Sequence, residues 1–284
     1  MTGNTLGWVI VAFVLYLLMM IAIGAFYAKG NNNSEDYFLG GRKLNGFVAA
    51  LSAQASDMSG WLLMGLPGAI YLTGVGGDGW IAIGLFIGTT LNWLFIATKL
   101  RRYTIRANNS VTLPTYFENR FHDEKKVLMT VSSITIVVFF LVYCASALSA
   151  GGQLFESVFG IDYHVALTIG ALVVLVYTFL GGFTAVCVTD FIQGMLMLVG
   201  ILAVPLFAYH FLTTGGTTLS AGLEASGADS ANFLNLMKNG DGSNNIVSVI
   251  SGLGWGLGYF GMPHILVRFM AVRDEKEIDR KSVV

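Results

Sequence analysis

The sequence has little charge, few cysteines and few prolines. Only 12% of its 284 residues are charged, whereas an ordinary soluble domain has about 25%. This low charge, in a chain of high apolar content, excludes a disordered chain, a nucleic-acid-binding protein and a disulfide-rich secreted protein. The two cysteines, Cys144 and Cys187, have no spacing typical of a zinc site or a disulfide framework. Both lie in apolar stretches, so we interpret them as reduced packing residues.

Long apolar runs are present instead. Residues of the AVILMFWYC set make up 55% of the sequence, and a bilayer-crossing helix needs about 20 mostly apolar residues in a row. Seven stretches satisfy this requirement: Leu6–Ala28, Gly46–Gly74, Trp80–Thr98, Val127–Phe155, Val165–Phe183, Val186–Leu212 and Ile246–Ala271. The sequence therefore predicts an all-α protein with seven membrane spans, numbered here in chain order as span 1 to span 7.

Basic residues collect on one side of this arrangement. Of the 16 Lys and Arg residues, all except Lys238 fall after span 1, after span 3, or at the end of span 7 and beyond. Because cytoplasmic loops carry an excess of Lys and Arg, we expect the N-terminus outside and residue 284 inside. The connection between spans 5 and 6 departs from this pattern, since it should be cytoplasmic but contains neither Lys nor Arg.

Span 2 carries polar residues at its centre. Gln54, Ser56, Asp57 and Ser59 lie within six residues, and a central Asp alone costs about 2.5–3.5 kcal/mol on the membrane-insertion scale. A helix interrupted near Ser56–Gly60, with its freed carbonyls turned into a wet cavity, would accommodate them. The alternative is an unbroken helix whose polar face packs inside the bundle, with the serine hydroxyls bonded one turn back.

Span 7 has a glycine at every second position of one segment. Glycine occupies positions 252, 254, 256, 258 and 261, and Pro263 follows. Each interior Gly costs about 0.8–1 kcal/mol of helix propensity and Pro about 3 kcal/mol. A single packing face would need spacings of three or four residues, so we favour a second break. The alternative is a tight helix crossing.

Spans 2 and 7 are five apart and, by the charge pattern, run in opposite directions. Two five-helix repeats of opposite topology, each opening with a discontinuous helix, are a known transporter arrangement with a substrate site at the membrane midplane. We therefore divide the chain into residues 1–45 (first span and cytoplasmic loop), 46–212 (first five-helix repeat), 213–244 (external loop) and 245–284 (first span of a second repeat and cytoplasmic tail).

Such breaks would expose peptide groups that have no partner within the helix. Free carbonyls suit a hard cation such as sodium, and the N-terminus of a half-helix favours a carboxylate. The pair of breaks therefore indicates a sodium ion beside a small zwitterion, with Asp57 setting the cation affinity or acting as a gate. Trp61, Tyr143, Trp255 and Tyr259 are candidates for apolar walls with polar tips. For any one of them alone, lipid contact or core packing is the better explanation. The clustering of Trp61, Trp255 and Tyr259 at the two breaks makes a role in the site equally good for these three.

Other charged residues have plainer interpretations. Asp190 opens span 6, where we expect a helix N-cap, with a role in a cytoplasmic ion path as the alternative. His264 and Arg268 lie four residues apart near the end of span 7, where snorkelling or local bonding explains them. No His, Cys and carboxylate cluster or nucleophile motif indicates an enzyme, and no repeated ring of charges or carbonyls indicates a channel.

Two stretches carry a resemblance to a known family. Ala50–Tyr71 includes Ala-Ser-Asp-Met-Ser-Gly-Trp-Leu-Leu-Met-Gly, and Gly254–Ala271 reads Gly-Trp-Gly-Leu-Gly-Tyr-Phe-Gly-Met-Pro-His-Ile-Leu-Val-Arg-Phe-Met-Ala. Both are similar to the sodium/solute symporter family in the form carried by its bacterial proline-transporting members, and Asp36–Arg42 also fits. Met262 is a departure, since a close relative has Gln there. The resemblance covers essentially the whole chain and implies the first part of a leucine-transporter-like fold.

The resemblance also implies roles for individual positions. The family's sodium ion is held partly by backbone oxygens at positions matching Ala55 and Met58, and Asp57 matches an acid required for sodium-coupled uptake. Arg42 and Asp190 match charged residues implicated in coupling and in the inward sodium path. The implied substrate-binding positions, with Trp61 added because of its place at the break, are Ser59, Gly60, Trp61, Tyr143, Trp255, Tyr259 and Pro263.

With what the resemblance implies, these features predict sodium-coupled symport of L-proline into the cell by alternating access, in a plasma membrane of the bacterial inner-membrane type. The expected co-transported ion is sodium, and the expected partners are L-proline, sodium and membrane lipids, without nucleic acid and with a monomer sufficing. Two alternatives stay open. One is another small solute of the same family, such as a sugar, sialic acid or a carboxylate. The other is a non-transporting fragment, because the family's remaining sodium ligands lie on a later helix.

Overall fold

The computed structural model describes residues 3–281, and this part of the chain is helical. The α-helices are α1 (Gly3–Ala28), α2 (Ser34–Leu39), α3 (Gly46–Asp57), α4 (Leu66–Thr73), α5 (Val75–Asn92), α6 (Thr98–Arg106), α7 (Leu113–Phe121), α8 (Val127–Phe159), α9 (Tyr163–Thr214), α10 (Leu219–Ala225), α11 (Ser230–Phe233), α12 (Ile246–Gly254), α13 (Pro263–Ala271) and α14 (Glu275–Lys281). No strand occurs among residues 3–281, which confirms the expected all-α class. The expectation that residue 284 faces the cytoplasm lies outside the described residues.

Within the described residues, four helical stretches are long and apolar enough to cross a membrane: Gly7–Ala28, Val75–Arg106, Val127–Phe159 and Tyr163–Thr214. A fifth candidate is the pair Ile246–Gly261 and Pro263–Ala271, whose parts meet at 48°. Span 2 does not qualify as one helix because it is divided, and its second part remains as a shorter apolar helix, Trp61–Thr73.

Helix α9 is too long for a single pass. Its 52 residues would extend about 78 Å at 1.5 Å per residue, against a hydrocarbon thickness of about 30 Å. Gly182 interrupts it with φ 61° and ψ −158°, a backbone conformation that glycine adopts readily and that residues with a side chain rarely adopt. Before this point Ala166 lines one groove with Phe13 of α1, and Gly181 contacts Gly24 near the end of α1. Beyond it, Gln193 hydrogen-bonds to Tyr16, again nearer the middle of α1. We infer that the chain turns back at Gly182, the arrangement that spans 5 and 6 require.

Span 2 is broken where the sequence predicts. Helix α3 ends at Asp57, and Met58 has an extended backbone with φ −68° and ψ 90°. A π-helical turn over Trp61–Gly65 then leads into α4. The expected interruption near Ser56–Gly60 is therefore confirmed, and the alternative of an unbroken polar-faced helix is wrong.

Span 7 is broken as well. Helix α12 ends at Gly254, a 3₁₀ segment covers Trp255–Gly261, and Met262 is extended before α13 begins at Pro263. The rival explanation of a tight helix crossing also holds for part of the segment. A Cβ on Gly252 would lie 2.7 Å from the Trp80 carbonyl carbon, so α12 and α5 approach closely there. Gly252 thus allows the close crossing of α12 and α5, whereas the glycines at positions 256, 258 and 261 lie in the 3₁₀ segment that forms the break.

The best-buried core lies where α3 begins and α13 ends. Phe269, Met270, Ala271 and Val272 are fully buried, and each large apolar side chain buried in this way stabilises the fold by about 1.5–3 kcal/mol. The Leu44 amide donates to the Ala271 carbonyl at 3.1 Å, which ties the segment before α3 to the segment after α13. We call this region the closed end.

Candidate binding site at the helix breaks

The two breaks face one cavity. It has a volume of about 280 Å³, close to the lower limit of small-molecule pockets, about 300–1,000 Å³. Its walls are formed by Asp57, Ser59, Gly60, Trp61, Leu62, Leu85, Tyr143, Ser146, Ala147, Ala150, Trp255 and Met262. Residues from span 2, α5, α8 and span 7 therefore meet at this point, and the cavity is large enough for a small solute only.

A carboxylate and a phenol join the two breaks. Asp57, at the end of α3, is buried, and the hydroxyl of the buried Tyr259 in span 7 donates a hydrogen bond to its Oδ2. The Tyr143 hydroxyl of α8 donates to the Ser56 carbonyl at 3.3 Å. Among residues 3–281 no Lys or Arg forms an ion pair with Asp57. The acid therefore lies at the cavity wall with a neutral donor as its partner.

Two indole rings form the aromatic wall. Trp61 and Trp255 stack with ring centroids 5.7 Å apart and an interplanar angle of 12°. Each ring belongs to a different break, since Trp61 begins the π-helical turn and Trp255 begins the 3₁₀ segment. The clustering expected from the sequence is present, and the two breaks are in direct contact through this pair.

Glycine at position 60 allows α8 to approach the first break. A Cβ on Gly60 would lie 2.8 Å from the Ala150 Cβ, closer than carbon atoms pack. Ser59 lies beside it in the same wall. The segment assigned to substrate binding by resemblance thus lies against α8, where a larger residue at position 60 would push the walls apart.

The two positions expected to offer backbone oxygens to sodium lie in the last turn of α3 and at the break. Ala55 is buried and packs against Gly194 of α9, and Met58 is the extended residue that ends the helix. Carbonyls in the last turn of a helix lack an intrahelical donor. Among the described residues no group of three His, Cys, Asp or Glu side chains could hold a metal ion, so a cation here would depend on such oxygens.

Pro263 lies apart from the cavity. It is the first residue of α13 and lines a separate groove together with Phe38 of α2 and Met129 of α8. Only its neighbour Met262 reaches the cavity wall. The structure therefore does not place Pro263 with the cavity-lining residues among the expected substrate-binding positions, because Pro263 already belongs to the next helix, after the extended residue Met262.

The expectation that Asp190 is a helix N-cap is wrong. Asp190 is buried within α9, beyond the turn at Gly182, and the first residue of α9 is capped by Asp162. Its Oδ2 accepts hydrogen bonds from Ser52 at 2.7 Å and from Arg268 Nη2 at 2.8 Å. The acid therefore contributes to tertiary contacts between α9, α3 and α13.

Of the two interpretations of Arg268, snorkelling is wrong, and local hydrogen bonding accounts for only one of its contacts. Arg268 is only 5% exposed, and besides its ion pair it donates to Ser52 Oγ at 3.0 Å and to Ser56 Oγ at 2.6 Å. Its Nη1 donates to the His264 carbonyl. Arg268 and Ser52 are the residues that the sequence reasoning missed. A charged residue inside an apolar stretch was the available signal, because burial of a charge demands a partner.

Arg42 lies at the closed end and not at the cavity. It donates to the Met270 carbonyl and the Ser110 carbonyl, both at 2.8 Å, and pairs with Glu35 at 3.3 Å. Burial lowers the pKa of its guanidinium below the ordinary value, but an arginine still stays charged at neutral pH. Arg42 thus fastens the loop before α3 to the end of α13 and to the loop after α6.

Comparison with protein families gives one match over most of the chain. Residues 37–284 match the model of the sodium:solute symporter family. The matched region includes both breaks and the cavity between them.

The chain is similar to several bacterial proline transporters. The chain is 47% identical over 269 residues to the sodium/proline symporter of Salmonella typhimurium, covering 95% of this chain and 52% of that protein. It is 48% identical over 261 residues to the high-affinity proline transporter PutP of Bacillus subtilis, covering 92% of this chain and 53% of that protein. The chain thus spans about half the length of the relatives that it matches.

A solved structure shares the fold. The substrate-bound, outward-open state of a Na⁺-coupled sialic acid symporter matches with a TM-score of 0.73 and 20% identity, covering 93% of this chain and 54% of that one. At this identity the match concerns the fold alone.

Proposed function

This chain belongs to the sodium:solute symporter family, and we propose that it serves sodium-coupled uptake of L-proline by alternating access. The observation that carries the proposal is the single cavity between the two helix breaks, which Asp57 and Tyr259 join by a hydrogen bond. Discontinuous helices that meet near mid-membrane are the usual place for a coupled ion and its solute. The family and the names of the relatives support sodium and proline as the pair.

In this mechanism sodium binds at the break of span 2. The backbone oxygens of Ala55 and Met58 and the carboxylate of Asp57 contribute to its coordination, because free peptide oxygens and an acid suit a hard cation. The bound ion orders the break and thereby the adjoining wall at Ser59 and Gly60. By linkage, proline must then raise the affinity for sodium by the same factor by which sodium raises the affinity for proline.

The solute occupies the cavity between the aromatic walls. Trp61, Tyr143 and Trp255 line this cavity and provide apolar surface for the pyrrolidine ring, and the hydroxyl of Tyr143 is the phenol tip that faces the charged groups of the amino acid. Tyr259 is buried behind this wall and acts through its hydrogen bond to Asp57. Pro263 acts indirectly in this proposal, by fixing the start of α13 after the break. Asp190 and Arg42 belong to the path toward the closed end, where they control access to the cytoplasm.

We place the N-terminus outside and the closed end at the cytoplasm of a bacterial plasma membrane. The support is the concentration of Lys and Arg after α1, around α6 and after α13. With this orientation the loop from residue 213 to 244 faces outward. Labelling of single cysteines in intact cells tests the assignment: a cysteine at Ser226 should react with an impermeant reagent, and one at Lys125 should not.

The deciding experiment is uptake of labelled L-proline into vesicles that contain a full-length transporter with this chain. Imposed sodium gradients should drive accumulation, and replacement of sodium by choline should abolish it. Proline affinity should fall when sodium is removed, and an unchanged affinity would contradict the coupling. The 284-residue chain alone, in the same vesicles, should give no uptake, because its relatives are about twice as long.

Another small solute of the same family is the second candidate. It is favoured by Met262, which lines the cavity where a close relative has a different residue. An unlabelled sugar, sialic acid or carboxylate that suppresses proline uptake more strongly than proline itself would establish it. The relatives are transporters, and we therefore propose no enzymatic activity.

A further inference from the structure

Asn92 is a fully buried polar residue outside the cavity. It is the last residue of α5, just before the π-helical turn Trp93–Ala97, and its exposed fraction is 0%. Its Nδ2 donates a hydrogen bond of 2.9 Å to the carbonyl of Tyr259 in the broken part of span 7. Buried amides are usually fully hydrogen-bonded, yet Asn92 Oδ1 has no partner among the described residues.

The helix that carries Asn92 is pressed against span 7. Gly84, Gly88 and Asn92 follow each other at intervals of four residues and therefore lie on one face of α5. A Cβ on Gly84 would lie 2.2 Å from the Gly252 carbonyl oxygen, and one on Gly88 would lie 2.2 Å from the Gly256 carbonyl oxygen. The absence of side chains at both glycines brings the backbones close enough for a short amide to reach the Tyr259 peptide.

The Tyr259 peptide needs such a partner. It lies in a 3₁₀ segment that ends in the extended residue Met262, so the backbone of this part is not fixed by a continuous α-helix. The same residue carries the hydroxyl that donates to Asp57. A shift of the Tyr259 peptide would therefore move the only contact through which Asp57 bonds to span 7 in the described part of the chain.

We propose that Asn92 is a positioning residue for the transport site: by holding the Tyr259 peptide it keeps the Tyr259 hydroxyl on Asp57. The inference rests on the proposed sodium-coupled uptake. Asn92 touches neither the cavity nor the expected ion ligands, and it acts through Tyr259. The π-helical turn that follows it widens α5 at this point, and such turns are frequent at functional sites.

The test uses the full-length transporter with Asn92→Leu, which has a similar side-chain volume but no donor. At equal amounts of protein in the membrane, we expect the proline KM and the half-maximal sodium concentration to rise about tenfold, equivalent to about 1.4 kcal/mol. The maximal rate should stay within about threefold, since the residue does not touch the solute. Thr90→Val is the matched control on the same helix, because Thr90 bonds only the Phe86 carbonyl of its own helix.

A double-mutant cycle separates positioning from general stability. If Asn92 acts through the Tyr259 hydroxyl, Asn92→Leu should add little to the effect of Tyr259→Phe on either half-saturation value. Three results would overturn the proposal. The fold-changes of Asn92→Leu and Tyr259→Phe could multiply in the double variant, Asn92→Leu could leave both half-saturation values unchanged, or it could only reduce the amount of protein in the membrane. Uptake by the wild-type transporter in the same vesicles separates a failure of the proposed function from a failure of the proposed role of Asn92. If the wild-type transporter shows no sodium-dependent proline uptake, the proposed function itself fails. If it does show uptake, the variants test only the role of Asn92.

Discussion

The partner of Asp57 is a hydroxyl and not a cation. A neutral donor orients the carboxylate without cancelling its charge, so the acid keeps its attraction for a positive ion. In the buried environment at the end of α3 this attraction is stronger than at a water-exposed site. The residue can therefore serve a cation that comes and goes, which a permanently bound Lys or Arg would prevent.

Asp57→Asn removes the charge and keeps the shape. The amide oxygen can still accept from Tyr259, so the fold should be preserved and the half-maximal sodium concentration for uptake should rise at least about tenfold, equivalent to 1.4 kcal/mol or more. Uptake measured against sodium concentration checks this. Asp78→Asn is the control, since Asp78 accepts from Thr73 at 2.9 Å outside the cavity; identical curves for both variants would contradict the role of Asp57.

Arg268 and Asp190 form a buried pair whose members depend on each other. Removal of one member of such a pair costs about 3–5 kcal/mol, because the other charge is left buried alone. We therefore expect Arg268→Gln to lower the temperature of unfolding of the purified transporter strongly, and the double variant with Asp190→Asn to recover part of the loss. Thermal unfolding in detergent measures both, and equal losses in the single and double variants would refute the pairing.

Some residues of the site could be recognised from the sequence and some could not. Asp57 and Trp61 stand out because polar and indole side chains interrupt an apolar run. The partner of Asp190 lies 78 residues away on another helix, and no local pattern connects the two. The resemblance implies that Pro263 binds the solute, but its position depends on the extended backbone of Met262, which composition does not specify.

Among the helices, α5 and span 7 show the closest approach. Gly88→Val would place a branched side chain where the Gly256 backbone lies within 2.6 Å of the new Cβ, and overpacking of this kind costs about 1–3 kcal/mol or more. We expect a clear loss of folded protein in the membrane, measured by size-exclusion chromatography. Gly170→Ala in α9 is the control, because no atom lies within 4 Å of its Cβ position; an equal loss there would contradict the packing argument.

Helix α3 is capped by a side chain from the far end of the chain. Glu277 Oε2 accepts from the Gly46 amide at 2.9 Å, and a carboxylate at a helix N-terminus is worth about 0.3–1 kcal/mol. Glu277→Gln should therefore speed hydrogen exchange of residues 46–49 about two- to fivefold, as that energy implies. Mass spectrometry of the exchanged protein measures this rate.

Glu275→Gln provides the comparison. Glu275 neighbours Glu277 but pairs with Arg102 of α6 at 2.7 Å, so its loss should leave the start of α3 protected. The same acceleration in both variants would mean that the charge of the whole α14 segment matters and that the cap at Gly46 does not.

The breaks could be located in advance, but their contacts could not. Polar residues in span 2 and alternating glycines in span 7 are local signals, and the extended residues Met58 and Met262 lie within both segments. The turn at Gly182 was also near the expected boundary of spans 5 and 6. Which faces of the broken spans meet is decided by tertiary packing, and this information is spread over residues up to 216 positions apart.

For the whole molecule, composition was enough to fix the class. Few charges and long apolar runs leave only helices as an acceptable membrane structure for such a chain. Composition does not, however, predict which helices are buried in the protein and which are exposed on its surface. The core is concentrated at the closed end, whereas none of the apolar window of α8 is buried, and a difference of this kind reflects how helices are grouped and not how hydrophobic each one is.

The stacked indoles have an optical consequence for the entire protein. Trp61 and Trp255 are two of only five tryptophans, and their rings lie almost parallel at 5.7 Å, near enough for their electronic transitions to couple. Because the two rings sit on separate segments, any rocking of one segment against the other alters the overlap. The near-ultraviolet circular dichroism of the unlabelled protein should therefore change whenever the two segments move relative to each other, with no dye attached.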